Sequence, residues 1–136
     1  MKVPGKIFWR VLLALYLAAV AYICFASQGS LPTFDDWNFP IPADKCVHFL
    51  MFLPWPILAC LSVLTVGAGR TRKTVIVMML ITLTGCAIAG ATEWIQGLLP
   101  YRSRDILDFT ADCLGLLAGA LLFAAFYPSL RRSGTR

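Results

Sequence analysis

His48, Glu93, Asp108 and Asp112 stand inside or at the edges of apolar runs, where an ionisable group is costly unless it is paired or reaches water. An imidazole beside a carboxylate can act as a general base, and a carboxyl kept protonated by its surroundings can act as an acid. Asp44 precedes His48 by one helical turn and is placed to orient it. The same groups suit a divalent cation, although no tight motif of the H-E-x-x-H kind occurs. Lys45, Gln96, Arg102, Arg104 and Asp105 complete the polar set. The two arginines bring charge-assisted donors for phosphate or carboxylate, and Glu93, Gln96 and Asp108 bring acceptors for hydroxyl or amide hydrogens.

Spacing predicts which of these groups meet. Glu93 lies near the end of one apolar run and Asp112 near the start of the next, so at ~1.5 Å per residue both sit roughly 7–9 Å below the same surface. Asp105, Asp108, Asp112, Gly115 and Gly119 fall on one stripe of a helix, and the two glycines have the small-xxx-small spacing that lets backbones approach closely. Thr82, Gly85, Ala89, Thr92, Glu93 and Gln96 share one side of the preceding run. These two faces, joined by the tight turn Leu99-Pro100-Tyr101-Arg102-Ser103, are expected to pack on each other and gather Glu93, Gln96, Asp108 and Asp112, with Asp44 and His48 at the same level. Ser103 is the expected cap of the last helix. The acids Asp44, Glu93, Asp105, Asp108 and Asp112 face Lys45, Arg102 and Arg104, which leaves three options open: an acid holds a proton, a cation completes the group, or the arginines fold inward as partners.

The elements that carry these groups follow from composition. Of 136 residues, 59% are apolar and only 14% charged, more apolar and less charged than one small soluble core can accommodate. Runs long enough to cross a hydrocarbon core of ~30 Å predict four helices, about 7–26, 46–68, 74–98 and 104–127, in one all-α integral membrane four-helix bundle spanning residues 1–136. Pro54 and Pro56 are expected to kink the second span, and Pro128 to close the fourth. Lys2, Lys6, Arg10, Arg70, Arg72, Lys73, Arg131, Arg132 and Arg136 fall on one side of these spans, and Lys45, Arg102 and Arg104 on the other. That bias places both termini in the cytoplasm and the acidic group outside.

The same distribution excludes a nucleic-acid-binding reading of the +5 net charge, because the basic residues flank spans rather than line one face. The first span, preceded by Lys2 and Lys6, is expected to be retained rather than cleaved, because its apolar run continues past Ala19-Val20-Ala21. Five cysteines without a C-x-x-C pair read as small apolar residues, with a Cys46–Cys113 bridge the one pairing worth considering. Ser27 to Ala43 is the one long loop, its Trp37 and Phe39 suited to the headgroup layer.

Asp44-Lys45-Cys46-Val47-His48-Phe49, then Glu93-Trp94-Ile95-Gln96, then Arg102-Ser103-Arg104-Asp105-Ile106-Leu107-Asp108, and Asp112 ahead of Gly115, resemble the VanZ-like family. The family pattern is a D-K-x-x-H-F opening, an E-x-x-Q, and an R-x-x-D-x-x-D followed by a small polar residue and glycine. The likeness covers about residues 44–119, and Asp112 stands where many members carry asparagine. It implies a small multi-pass protein of the bacterial inner membrane, from a family whose namesake is linked to resistance to the glycopeptide teicoplanin and for which no reaction is established.

Two functions are therefore expected to compete. In the first, an outward-facing pocket of Asp44, Lys45, His48, Glu93, Gln96, Arg102, Arg104, Asp105, Asp108 and Asp112 binds the headgroup of a membrane lipid or lipid-linked envelope intermediate, without a cofactor. In the second, a membrane-embedded enzyme acts on such a substrate, with His48, Glu93 and Asp108 as its catalytic candidates. A transporter is disfavoured because the opposite halves of the spans are almost purely apolar. Nothing in the pattern fixes the oligomeric state.

Overall fold

The computed structural model describes residues 4–26, 37–64 and 71–134. Five helices form: α1 (Lys6–Phe25), α2 (Ala43–Phe52), α3 (Pro54–Val63), α4 (Thr71–Gln96) and α5 (Ile106–Gly134). Because α2 and α3 run on through one residue, they make a single candidate span, and four segments are long and apolar enough to cross a membrane: Lys6–Phe25, Ala43–Val63, Arg72–Gln96 and Ile106–Pro128. The architecture is an all-helical four-span bundle, and the described residues include no strand.

The second span departs most from expectation. It starts at Ala43, before the apolar run, because Pro42 is tolerated at the helix entrance and Asp44 is favoured in a first turn by the exposed N–H groups there. It ends at Val63, where Leu64 turns extended (φ −75°, ψ 141°), rather than near residue 68. At Leu53 the helix is interrupted although that residue keeps helical torsions (φ −58°, ψ −41°). Pro54 and Pro56 supply no N–H to the carbonyls a turn earlier. In the same stretch the Tyr16 hydroxyl donates to the Met51 carbonyl at 2.7 Å, tying α1 to the break.

The fourth span also differs. Pro128 does not close α5, which runs on to Gly134, since a proline removes one helical bond without forbidding the turns beyond it. Its start is Ile106, and the cap is Asp105 rather than Ser103: the Leu107 N–H donates to Asp105 Oδ1 at 2.8 Å.

Packing follows the small residues, though not with the partner expected. A Cβ on Gly115 would run into the Phe49 carbonyl, and one on Gly119 into that of Leu53. The glycine stripe of α5 therefore lies against the second span, not against α4, and α2–α5 is the most extensive helix pair. The inward side of α4 is nonetheless the one its spacing predicts, with Gly85, Ala89, Thr92, Glu93 and Gln96 all buried. Gly85 admits Leu116 of α5 and Trp55 of α3, whose indole N–H donates to the Ile81 carbonyl at 2.8 Å.

Two apolar layers result. Val20, Cys24, Met51, Phe52, Ala89 and Leu116 form the one beneath the polar residues, and Cys60, Leu61, Leu64, Phe123 and Tyr127 form the other. Outward-facing Leu15, Leu83, Leu121 and Phe126 remain exposed, as in a bundle whose exterior meets hydrocarbon. All five cysteines are free; Cys86 and Cys113, not Cys46 and Cys113, are neighbours, their sulfurs 3.8 Å apart.

Candidate functional site

The polar residues collect at the end of the bundle that holds the start of α2, the end of α4 and the start of α5. Lys45 is the centre of the upper level. Its ammonium, mostly buried, donates to Asp44 Oδ2 at 2.8 Å and to Asp105 Oδ2 and Asp108 Oδ1 at 2.5 Å each. The helical stripe dictates this: Asp105 and Asp108 lie on the α5 face that Gly115 and Gly119 press against the second span, directly opposite the first turn of α2.

One turn deeper, His48 Nδ1 lies 2.9 Å from Asp112 Oδ1, and its Nε2 lies 3.6 Å from Asp108 Oδ2. Asp112, fully buried, thus orients the ring, and not Asp44, whose carboxylate goes to Lys45 because the shorter lysine contact lies on its own turn. Glu93 enters from α4 at 4% exposure, and its Oε2 accepts the Asp105 N–H at 3.0 Å. Asp105 consequently does three things: it caps α5, pairs with Lys45 and fixes Glu93. The Lys45 hydrogen bond, followed by that of the Leu107 N–H, holds the Asp105 carboxyl below the usual aspartate range.

Gln96, Arg102 and Arg104 do not join this group. The Gln96 amide donates to the Cys24 carbonyl at 2.9 Å. The Arg102 guanidinium donates to the carbonyls of Ile23 and Ala26, at 3.0 Å each, and Arg104 lies over the Trp94 ring at 5.2 Å. The last carbonyls of α1 lack helical donors and compete successfully for Gln96 and Arg102. Among the described residues, Lys45 is the fixed cation within ion-pair reach of these acids, joined by His48 when it is protonated, so the carboxylates outnumber the positive charges.

Two sets of ligating groups emerge. Asp44, Asp105 and Asp108 each offer an oxygen within 4.8 Å of the others, as do His48, Glu93 and Asp112 with one ring nitrogen and two carboxylate oxygens. The ammonium of Lys45 bonds all three acids of the first set. In the second, Glu93 Oε1 and Asp112 Oδ2 are buried without a hydrogen-bond partner among the described residues.

Spacing alone gives no sign of the groove next to this cluster. A cavity of about 710 Å³, walled almost wholly by apolar atoms, opens between α2, α5 and the approach to α2. Trp37, Phe39 and Ile41 form one edge, Phe49, Leu50, Leu107 and Leu114 the walls, and Lys45 borders it. The Trp37 indole donates to the Ile41 carbonyl at 2.7 Å and meets Phe39 edge-on at 6.2 Å, which braces that edge on itself. The available signal was the unusual run of Trp37, Phe39 and Ile41 among prolines. Tyr101, which donates to the Phe25 carbonyl at 3.2 Å, and Tyr16 were likewise not singled out by spacing. Asp35 and Asp36 of the preceding loop lie outside the described residues.

No protein-family profile, no curated protein and no solved structure matches the chain.

Proposed function

We propose that the chain is a VanZ-like protein of the bacterial inner membrane, with both termini cytoplasmic, that holds a lipid or lipid-linked envelope intermediate at the outer leaflet. The observation that carries this reading is the apolar groove of about 710 Å³ bordered by Lys45, a volume within the ~300–1,000 Å³ typical of ligand pockets. An acyl chain occupies the groove, and the headgroup meets the polar cluster at its edge. The orientation rests on the basic residues Lys6, Arg10, Arg72 and Lys73 at the opposite end of the bundle.

The charge balance refines the headgroup. With Arg102 and Arg104 engaged elsewhere, a bare anion meets only Lys45, itself surrounded by carboxylates. A headgroup that offers amine or hydroxyl donors beside its phosphate satisfies both Lys45 and the acids.

Native mass spectrometry of the detergent-solubilised protein tests this. Leu114 is exposed along the groove, so Leu114→Trp fills the space without entering the core. The wild type is expected to carry one lipid adduct that Leu114→Trp loses. An adduct retained by the filled variant refutes the groove as its site.

A second reading, an enzyme acting on the same lipid-linked substrate, is favoured by the 2.9 Å contact between His48 and Asp112, the geometry of a base held by its orienting carboxylate. It requires turnover by the purified protein that is lost in His48→Ala and Glu93→Gln.

A further inference from the structure

We infer that His48, Glu93 and Asp112 form a binding site for one divalent first-row cation of the manganese or zinc class. The inference does not rest on the lipid reading. Three helices deliver the donors: α2 the imidazole, α4 and α5 one carboxylate each, with the ligating atoms all within 4.8 Å of one another.

Two further observations point to an ion rather than to a structural knot of acids. Asp112 is 0% and Glu93 4% exposed, yet each keeps one buried carboxylate oxygen with no hydrogen-bond partner among the described residues. A buried carboxylate left half unpaired is among the costlier arrangements a fold can hold, and metal coordination is one of the few ways to satisfy it. The neighbouring Asp44, Asp105 and Asp108 provide the comparison within the same molecule: there the chain inserts the Lys45 ammonium, which bonds all three. The deeper set receives no lysine or arginine from the described residues, only the His48 ring.

The donor set selects the ion class. One imidazole with two carboxylates suits manganese and zinc, whereas magnesium prefers oxygen donors and keeps most of its water. Three protein donors leave at least one coordination position for water or a ligand oxygen.

The test uses manganese(II) alone as probe, added to chelator-treated protein in detergent. Stoichiometry and affinity are read by titration calorimetry, and the ligand set by pulsed electron paramagnetic resonance, in which a coordinated imidazole adds a nitrogen modulation. The wild type is expected to bind one ion with the nitrogen signal. His48→Gln removes that signal, and Glu93→Gln weakens affinity by more than the ~10–100-fold typical of losing a supporting contact. Asp44→Asn, which alters only the Lys45 set, retains both the ion and the signal. Absence of stoichiometric binding by the wild type overturns the inference whatever the variants do. So does a nitrogen signal that survives His48→Gln, or binding that is lost in Asp44→Asn and kept in Glu93→Gln.

Discussion

Replacing Gly115 by alanine tests the packing that assembles the site. The added methyl would overlap the Phe49 carbonyl oxygen, and it would also lie 3.1 Å from the Phe49 carbonyl carbon and 3.3 Å from the Leu53 nitrogen. All three obstacles are backbone atoms, so no side-chain rotation relieves the clash. Ordinary contact begins at 3.4 Å, and reaching it requires α5 to withdraw from α2 by about 1 Å. The His48–Asp112 contact, 2.9 Å now, would then stretch to roughly 3.9 Å, beyond hydrogen-bonding range. Overpacking of this kind costs about 1–3 kcal/mol, and the lost contact at a fully buried carboxylate adds about 1–3 kcal/mol more. Two internal comparisons fix the scale. At Gly85 the new methyl meets side-chain atoms of Leu116 (2.5 Å) and Trp55 (2.8 Å), which can partly give way, so Gly85→Ala costs less. At Gly90 only Phe109 lies near, at 3.7 Å, so Gly90→Ala is neutral or stabilising by up to about 1 kcal/mol through helix propensity. Thermal unfolding in detergent, followed by far-ultraviolet circular dichroism, should rank the midpoints Gly90→Ala, wild type, Gly85→Ala, Gly115→Ala from highest to lowest. If Gly115→Ala melts with Gly90→Ala, the α2–α5 backbone contact is not what holds the site together.

Arg102→Ala removes two charge-assisted bonds to the end of α1 and should lower stability by about 2–4 kcal/mol, measured by denaturant titration, while lipid retention per folded molecule stays unchanged. Lys45→Met leaves Asp44, Asp105 and Asp108 facing one another. It should destabilise by about 1–3 kcal/mol once its partial exposure is allowed for, and adding Asp108→Asn should restore part of that loss, read as a positive coupling in a double-mutant cycle. Because Lys45 and the Leu107 N–H hold the Asp105 carboxyl low, the cap contributes fully above the ordinary aspartate value of ~3.9 and disappears only as pH falls through the lowered one. Hydrogen exchange at the Leu107 amide should therefore remain slow on acidification past that point, and early loss of protection would contradict the Lys45 contact.

Much of this was legible because periodicity is local. Four apolar runs gave four spans, and the buried sides of α4 and α5 are the ones their small residues mark. What periodicity cannot encode is which neighbour a face meets. Gly115 and Gly119 permit close approach to any helix, and the choice of the second span over α4 depends on three-dimensional packing that includes the break at Leu53. Arg102 shows a second limit: a cation beside carboxylates and beside a helix C-terminus is attracted to both, and only geometry decides between Asp105 and the carbonyls of Ile23 and Ala26. Ser103 and Asp105 are both good capping residues two positions apart, and the Lys45 contact favours the latter. The groove was invisible for a related reason, since its walls come from separate helices and a loop.

The fastening of the first helix has a bearing on biogenesis. The carbonyls of Phe25 and Ala26 receive their donors from Tyr101 and Arg102, 76 residues later in each case. During synthesis those groups exist long before their partners emerge, so the first helix enters the bilayer with its C-terminal end unlatched. The latch closes only once the turn between α4 and α5 has been made, so formation of that later hairpin, rather than insertion of α1 itself, is the event that locks this end.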